Sequence, residues 1–176
     1  KGAHKAIRYL KKTISPNLFF LQADIQSFFV SIDKGVLFSL VKKYVKNPEI
    51  LWLTGKIIFH DPTKDYIAKG DLGLLQSIPP HKSLFGKNNC GIPIGNLTSQ
   101  FFANVYLNEL DHFIKHSLKC HHYFRYMDDI LLLHSSKEQL LIWRNGIKTF
   151  IETSLKLKLH PKKQFLQPAT DGINFC

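Results

Sequence analysis

An acidic pair lies inside an apolar and aromatic run, YFRYMDDILLL, at residues 123–133. Carboxylates are costly to bury unless they are paired or bind a cation. Apolar residues flank the pair on both sides, which is typical of two strands joined by a tight turn. The run therefore predicts a β-hairpin whose tip carries Asp128 and Asp129. Taken alone, such a pair is also ordinary turn chemistry, and these residues by themselves favour that simpler interpretation.

A third carboxylate ends an apolar segment near the start of the chain. Residues 18–25, LFFLQADI, have strand character and carry Asp24 at their end. If this strand and the hairpin are neighbours in one sheet, Asp24 lies close to Asp128 and Asp129. Carboxylates so close repel one another unless cations lie between them. Hard divalent ions such as Mg²⁺ take oxygen ligands, and two of them about 4 Å apart support in-line phosphoryl transfer. The simpler alternative for Asp24 is the cap of a neighbouring turn.

The remaining segments alternate between helical and strand patterns. A helix is expected from about Lys34, with Ser31 or Asp33 as its N-cap, and a second with Pro48 in its first turn. A long loop or ribbon is expected over 62–96, where Gly, Pro and Lys are frequent.

The second half of the chain continues this mixture. A helix is expected from Asn96, a third long helix over 136–155, and short strands in LKLHPKKQFLQP and GINFC. The helix after Asn96 shows an apolar stripe, made of Phe101, Val105, Leu107, Leu110, Phe113 and Ile114. Helices mixed with a mostly antiparallel sheet define an α+β fold.

Charge and composition indicate which classes of molecule this chain is expected to bind. The formal net charge is +11, from 24 Lys and Arg against 13 Asp and Glu, which favours nucleic acid first and anionic lipid second. Three scattered cysteines argue against a disulfide framework and fit a reducing compartment. No apolar run is long enough to span a bilayer. One domain over 1–176 is expected, and the ends of the sequence suggest a fragment of a longer protein.

Several motifs occur in the order found in one enzyme family. YMDD between two apolar strands resembles the Tyr-x-Asp-Asp signature of reverse transcriptases. LQADIQSFF resembles their first palm motif, with a metal-binding Asp and a following aromatic, and GIPIGNLTSQFFANVYLNELD resembles the motif that opens the long palm helix. LHPKKQ resembles the downstream lysine motif, and GINFC the start of the primer-grip hairpin. The resemblance covers nearly the whole chain and implies a polymerase palm with part of the fingers and without the thumb.

One departure points to a subgroup. Most reverse transcriptases carry Gln-Gly and Ser-Pro where this chain has Ile94-Gly95 and Ser99-Gln100. That form, with the preceding PPHKSLF, resembles the reverse transcriptases of diversity-generating retroelements. The resemblance implies error-prone cDNA synthesis from a template RNA, chiefly erroneous at adenines. The alternatives are a group II intron or retron-like reverse transcriptase, or a non-catalytic nucleic-acid-binding palm.

The resemblance also implies the catalytic set. Asp24 and Asp128 are the expected metal ligands, Asp129 a weaker third, and the carbonyl of Ile25 a further ligand. Two Mg²⁺ ions are the expected cofactors, and Mn²⁺ can substitute for them. Lys163 is expected beside the leaving pyrophosphate as general acid or electrostatic clamp. Lys162 is its rival, and a solvated surface lysine is the ordinary alternative for either.

Further residues are expected along the nucleotide and the primer–template duplex. Phe29 is expected beneath the sugar of the incoming deoxynucleoside triphosphate, with core packing as its alternative. Tyr126 and Met127 are expected near the primer terminus and the duplex, with ordinary hairpin packing nearly as favoured. Close backbone approach to the template–nucleotide pair is expected at Gly91, Gly95 and Asn96, and nucleotide contacts at Ile94, Gly95 and Gln100.

Partners and setting follow from the same resemblance. The expected partners are template RNA, a DNA or RNA primer, deoxynucleoside triphosphates and a small basic accessory protein, with no membrane. A cytoplasmic, bacterial or phage-encoded protein is expected. Lys82, Lys87 and Arg125 are generic candidates for phosphate contacts.

Overall fold

A computed structural model describes residues 3–67, 69, 73–87 and 89–175. The helices are α1 (Ala3–Thr13), α2 (Phe28–Ser31), α3 (Lys34–Tyr44), α4 (Pro48–Phe59), α5 (Gly73–Gln76), α6 (Leu97–His112) and α7 (Lys137–Ser154). The strands are β1 (Phe19–Ile25), β2 (His122–Tyr126), β3 (Asp129–His134) and β4 (Leu159–Pro168). The chain divides into two compact units, Lys1–Gln26 with Leu107–Cys176, and Ser27–Tyr106.

The first unit is built on a four-stranded antiparallel sheet in the order β2-β3-β1-β4. Strand β1 lies between two neighbours, so its backbone is paired on both edges and its side chains are largely buried. Helix α7 packs on β1, β3 and β4. Its buried residues recur at helical spacing: Leu140, Trp143, Ile147 and Ile151. A sheet backed by a helix confirms the predicted α+β class.

The opposite side of this unit has its own apolar cluster. Leu10 of α1 packs with residues of β1, β2 and β3, and the cluster contains Leu10, Phe20, Phe124, Leu131 and Leu133. Burial of such side chains contributes about 1.5–3 kcal/mol each. The strands that carry the acidic residues therefore have packed neighbours, which makes them a rigid support.

Three helices begin at side-chain caps that the sequence indicated or allowed. The Asp33 side chain accepts a hydrogen bond from the backbone N–H of Val36 at 2.8 Å, which decides between Ser31 and Asp33 as the cap of α3. Asn47 caps α4 just before Pro48. Ser136 caps α7. Each cap satisfies backbone donors that a helix start leaves without partners.

Two local predictions are wrong. GINFC was expected to be a strand, but residues 172–175 form none, and Cys176 lies outside the described residues. Gly172 has a φ of 85°, and Ile173 and Phe175 instead pack against the cluster around Leu10, so their apolar alternation is satisfied without a strand ladder. Phe101 was assigned to the buried stripe of α6, but it is 62% exposed.

The segment expected to be a long loop is mostly irregular where it is described. Short helical turns interrupt it at Gly73–Gln76 and Pro80–Lys82. None of the helices in the described part of the chain is both long and apolar enough to cross a bilayer.

Candidate active site

The register of two central strands brings the predicted carboxylates together. β1 pairs with β3 so that Asp24 lies opposite Asp129. Asp128, in the adjoining turn, is close enough to Asp24 for the charge of Asp24 to raise its pKa. The convergence predicted from sequence is therefore confirmed. Ile25, the next residue, has a buried side chain and pairs with Leu159 in the sheet, and its role as a carbonyl ligand stays a prediction.

The hairpin that carries the other two carboxylates has a two-residue turn. Tyr126 pairs with Asp129, so Met127 and Asp128 form the turn itself. Met127 has a φ of 53°, a left-handed conformation that costs an ordinary residue about 1–2 kcal/mol. Tyr126, expected near the primer end, is about half exposed. Such a strained residue persists only where neighbouring contacts hold it.

On the other edge of β1, strand β4 has a bulge opposite Asp24. Ala23 pairs with Gln164 and Ile25 with Leu159, so β4 carries several extra residues opposite Asp24. Bulges re-aim side chains and are frequent beside active sites. Lys163 lies in this bulged stretch, and its Nζ donates a hydrogen bond to Asp24 Oδ2 at 2.6 Å. This contact favours Lys163 over Lys162 for the predicted lysine position.

Burial and like charge disturb the titration of the acidic groups. Burial raises the pKa of Asp128, and the charges of Asp24 and Asp129 and the hydrogen bond with Asp24 raise it further, against a backbone hydrogen bond that lowers it. Burial and the charge of Asp24 raise the pKa of Asp129, while Lys163 lowers it. The hydrogen bond and charge of Asp24 raise the pKa of Lys163. A site where carboxylates disfavour one another's charge attracts cations.

The carboxylate oxygens of this site suit hard divalent cations, but they do not form a complete set of metal ligands. Within residues 3–67, 69, 73–87 and 89–175, no group of three or more His, Cys, Asp or Glu side chains is arranged to hold a metal ion. Asp129 lies opposite Asp24 in the sheet, Asp128 is near enough for the charge of Asp24 to raise its pKa, and the ammonium group of Lys163 lies on Asp24. Oxygen donors of this kind suit Mg²⁺ or Mn²⁺, which commonly complete their shells with water and phosphate.

The second unit holds the residues predicted to contact nucleotide and template. Residues 91–92 are tied to residues 29–32: Gly91 N–H donates to Ile32 O at 2.8 Å, and Ile92 N–H donates to Phe29 O at 2.9 Å. Phe29 is half-buried, and its ring packs edge-on against Phe28. Gly91 is buried, its φ of 88° favours glycine, and a Cβ there would press against a Leu84 methyl group and lie 3.2 Å from the Val30 carbonyl oxygen. Backbone conformation and packing inside the protein therefore explain the need for glycine at position 91.

The next turn, which contains Ile94 and Gly95, is exposed to solvent. Ile94 is 75% exposed, and a Cβ on Gly95 would meet nothing within 4 Å. The carbonyl of Asn96 accepts hydrogen bonds from the N–H groups of Ser99 and Gln100, which begins α6. The structure thus presents the side chain of Ile94 and the backbone of Gly95 to the outside, as a nucleotide or template contact requires.

One buried network was missed at the sequence level. Arg125, expected among phosphate contacts, is only 13% exposed and forms an ion pair with Asp111 at 2.7 Å, which corrects that expectation. The Tyr123 hydroxyl donates to the same carboxylate at 2.7 Å. Asp111 lies at the end of α6 and Arg125 in β2. No local pattern links residues that only tertiary packing brings together.

Known proteins share both the sequence pattern and the fold. Residues 3–175 match the family described as reverse transcriptase (RNA-dependent DNA polymerase). The group II intron-encoded protein LtrA of Lactococcus lactis subsp. cremoris is 26% identical over 114 residues, which cover 65% of this chain and 16% of LtrA. The chain thus spans about a sixth of the length of this curated relative.

Solved structures agree on the fold. Apo telomerase from Candida tropicalis superimposes with a TM-score of 0.59 at 13% identity, over 99% of this chain and 34% of the other. Telomerase from Candida tropicalis in complex with the TWJ fragment of telomeric RNA gives a TM-score of 0.56 at 14% identity, over 98% and 31%. These identities establish the fold alone. Because the family match extends over nearly the full sequence and carries the acidic hairpin and its partner strand, the chain belongs to the reverse transcriptase family.

Proposed function

We propose that this chain is the palm, with part of the fingers, of an RNA-directed DNA polymerase, and that Asp24, Asp128 and Asp129 bind its divalent cations. The observation that carries the proposal is the convergence of Asp24 and Asp128 at one end of the sheet. Two bound Mg²⁺ ions supply electrostatic activation of the attacking hydroxyl and stabilisation of the leaving oxygen.

The lysine beside the carboxylates has two uses in this reaction. Lys163 keeps its proton at neutral pH, because the hydrogen bond to Asp24 and its charge raise the pKa of the ammonium group. The side chain is 60% exposed, so it is free to move from Asp24 toward an arriving triphosphate. There it provides positive charge or a proton to the departing pyrophosphate.

The substrates follow from the family and from the charge of the chain. A net charge of +11 suits a nucleic-acid duplex, which is held mainly through its phosphates. Template RNA, a primer and deoxynucleoside triphosphates are the proposed substrates, with Phe29 at the sugar of the nucleotide. One structural neighbour is a telomerase in complex with a fragment of telomeric RNA, which supports an RNA ligand for this chain.

The proposed subtype is the reverse transcriptase of a diversity-generating retroelement, which works with a small basic accessory protein. Support comes from the turn before α6, where exposed Ile94 precedes the open Gly95 and Gln100 follows in the first helical turn. An apolar side chain at position 94 cannot make a hydrogen bond that checks the nascent base pair. Discrimination by hydrogen bonds exceeds discrimination by apolar fit by orders of magnitude.

A primer-extension experiment tests the polymerase assignment. The longest natural protein that contains this chain is given poly(rA)/oligo(dT), dTTP and Mg²⁺ or Mn²⁺, and is compared with its Asp128→Asn variant. We expect incorporation by the natural protein and a loss of at least about a thousandfold in the variant, whose neutral amide cannot supply ligand charge. Exposed Asp65→Asn is the matched control. Equal incorporation by natural protein and Asp128→Asn would exclude the assignment.

A fidelity measurement tests the subtype. We expect Ile94→Gln to lower misincorporation at template adenines by about tenfold. Leu97→Gln makes the same polarity change at a residue that is 83% exposed in the same region, and we expect it to leave the errors unchanged. An identical adenine error rate in Ile94→Gln and natural protein contradicts the role of Ile94. Uniformly low errors in the natural protein instead favour the group II intron type, since the chain is similar to the group II intron-encoded protein LtrA.

A further inference from the structure

A partly buried ion pair joins strand β2 of the acidic hairpin to the end of α6. The Nε and Nη2 atoms of Arg125 donate to the two carboxylate oxygens of Asp111 at 2.8 and 2.7 Å. The pair is bidentate, which fixes the guanidinium plane as well as its position. Its side chains are 13% and 24% exposed, so water competes little for these hydrogen bonds.

A further donor of this guanidinium reaches the turn. Nη1 of Arg125 donates to the carbonyl oxygen of Met127 at 2.8 Å. Met127 is the residue with left-handed φ, and the next residue is Asp128. A hydrogen bond to the carbonyl of a strained residue fixes the peptide plane that follows it, and this plane includes the N–H of Asp128.

The Tyr123 hydroxyl separates two possible uses of the network. It donates to Asp111 Oδ1 at 2.7 Å, the same carboxylate that holds Arg125. It also interacts with Arg125 itself, but no hydrogen bond from it to the turn is seen among the described residues. A network that only stabilised the unit would be weakened by loss of this hydroxyl as well as by loss of the ion pair. A network that orients the turn depends on the fork geometry of Arg125, which lysine cannot reproduce.

We propose that Arg125, clamped by Asp111, is a positioning residue that holds the Met127 carbonyl and thereby sets the orientation of Asp128. The kinetic part of this inference rests on the proposed polymerase function. The structural part does not, because the conformation of the turn is measurable without any substrate. Arg125 acts through Met127 and touches no reacting atom.

The chain offers a single probe at the required place. Its composition includes one methionine, Met127 itself, so labelling with [methyl-¹³C]methionine gives one signal from the turn besides any initiator added for expression. The signal is compared in natural chain, Arg125→Lys, Asp111→Asn and the control Tyr123→Phe, each checked for folding by circular dichroism and thermal unfolding. We expect the Met127 signal to shift or broaden in both ion-pair variants and to keep its position in Tyr123→Phe.

Kinetics supply the second readout. Single-turnover incorporation by the longest natural protein containing the chain gives a maximal rate and a nucleotide dissociation constant. We expect Arg125→Lys to lower the maximal rate at least about tenfold, which is about 1.4 kcal/mol of barrier. The nucleotide dissociation constant stays within about twofold, because the residue orients a catalytic group without binding substrate. Tyr123→Phe keeps both values.

Each outcome of these experiments either supports or overturns the positioning role of Arg125. An unmoved Met127 signal in folded Arg125→Lys and Asp111→Asn overturns the proposal, as does an equal shift in Tyr123→Phe. Failure of both ion-pair variants to fold while Tyr123→Phe folds also overturns it, since the pair then stabilises the unit as a whole. A natural protein without incorporation disproves the polymerase function, and the methionine spectra then still decide the positioning role.

Discussion

Removal of one carboxylate from the acidic cluster is expected to stabilise the fold. In Asp128→Asn at neutral pH, the like charges of Asp24, Asp128 and Asp129 are reduced from three to two. Two unit charges 4 Å apart repel by about 1 kcal/mol in water and about 4 kcal/mol at an effective dielectric constant of 20. Because the cluster is only partly buried and Lys163 offsets Asp24, the lower value applies.

The expected gain is therefore about 1 kcal/mol in the free energy of unfolding, or about 2–4 °C in Tm for a chain of this size. It is measured by urea and thermal unfolding with a chelator present, at low ionic strength. Asp65→Asn removes the same charge from an exposed position, and we expect it to change stability by less than about 0.5 kcal/mol.

The pH dependence gives a second signature. The folded-state pKa of Asp128 is raised above the ordinary value of 3.8, so the folded chain holds this proton more tightly than the unfolded chain does. Stability from this group is greatest below the unfolded pKa and falls as the pH rises through the folded pKa. Asparagine does not titrate, so the advantage of Asp128→Asn should vanish near pH 4 and reach its full size near pH 7. A variant that is equally or less stable than the natural chain at neutral pH refutes the reasoning.

Four further outcomes are expected. Mg²⁺ at ten times its dissociation constant should stabilise the natural chain by about 1.4 kcal/mol and Asp128→Asn by much less, as thermal unfolding will show. Lys163→Gln should slow primer extension about a hundredfold, whereas the same change at the preceding lysine should not. Gly91→Ala, with a left-handed φ and close contacts with Leu84 and the Val30 backbone, should lower stability in urea by more than Gly95→Ala, which has only the backbone cost. Burial raises the pKa of the Cys120 thiol to about 12, so a thiol reagent near pH 8 should label it only as fast as the chain unfolds.

The elements that sequence predicted well are those with local signals. The start of α4 carries Asn47 and Pro48, and the observed helix begins at Pro48. The hairpin was predicted from apolar runs on both sides of a tight turn at Asp128 and Asp129. The hairpin is observed, but its turn lies one residue earlier, at Met127 and Asp128, and Asp129 begins the second strand. Such patterns are read within a few residues, so tertiary context has little opportunity to override them.

The errors arise where one pattern suits two structures. Alternation in GINFC fits a strand, yet Ile173 and Phe175 reach the apolar cluster from irregular backbone. Phe101 fits the helical period of α6, yet it is 62% exposed and packs edge-on against the buried Phe102. Periodicity indicates which side chains can share one face of a helix or strand. Tertiary packing decides which neighbour covers that face.

The geometry of the site depends on long-range pairing that no local pattern contains. Lys163 reaches Asp24 only because β4 is bulged opposite it, and Arg125 reaches Asp111 only because β2 lies beside the end of α6. Sequence motifs indicated the residue types at the site. They indicated Lys163, with Lys162 as its rival, for the position beside the carboxylates. They did not indicate that Arg125 is a partly buried support and not a phosphate contact.

Three departures from local regularity lie around the same carboxylates. Met127 has a left-handed φ in the turn, the ladder is bulged at Asp24, and the pKa of Asp128 is raised. Each is unfavourable for the chain alone, and strain of this kind persists where surrounding structure holds it in place. Local rules are expected to fail at functional sites, because there a group must be placed for a ligand and not for the fold. Cation binding would relieve the repulsion among the carboxylates, so the same arrangement that weakens the free chain prepares it for metal ions and phosphate.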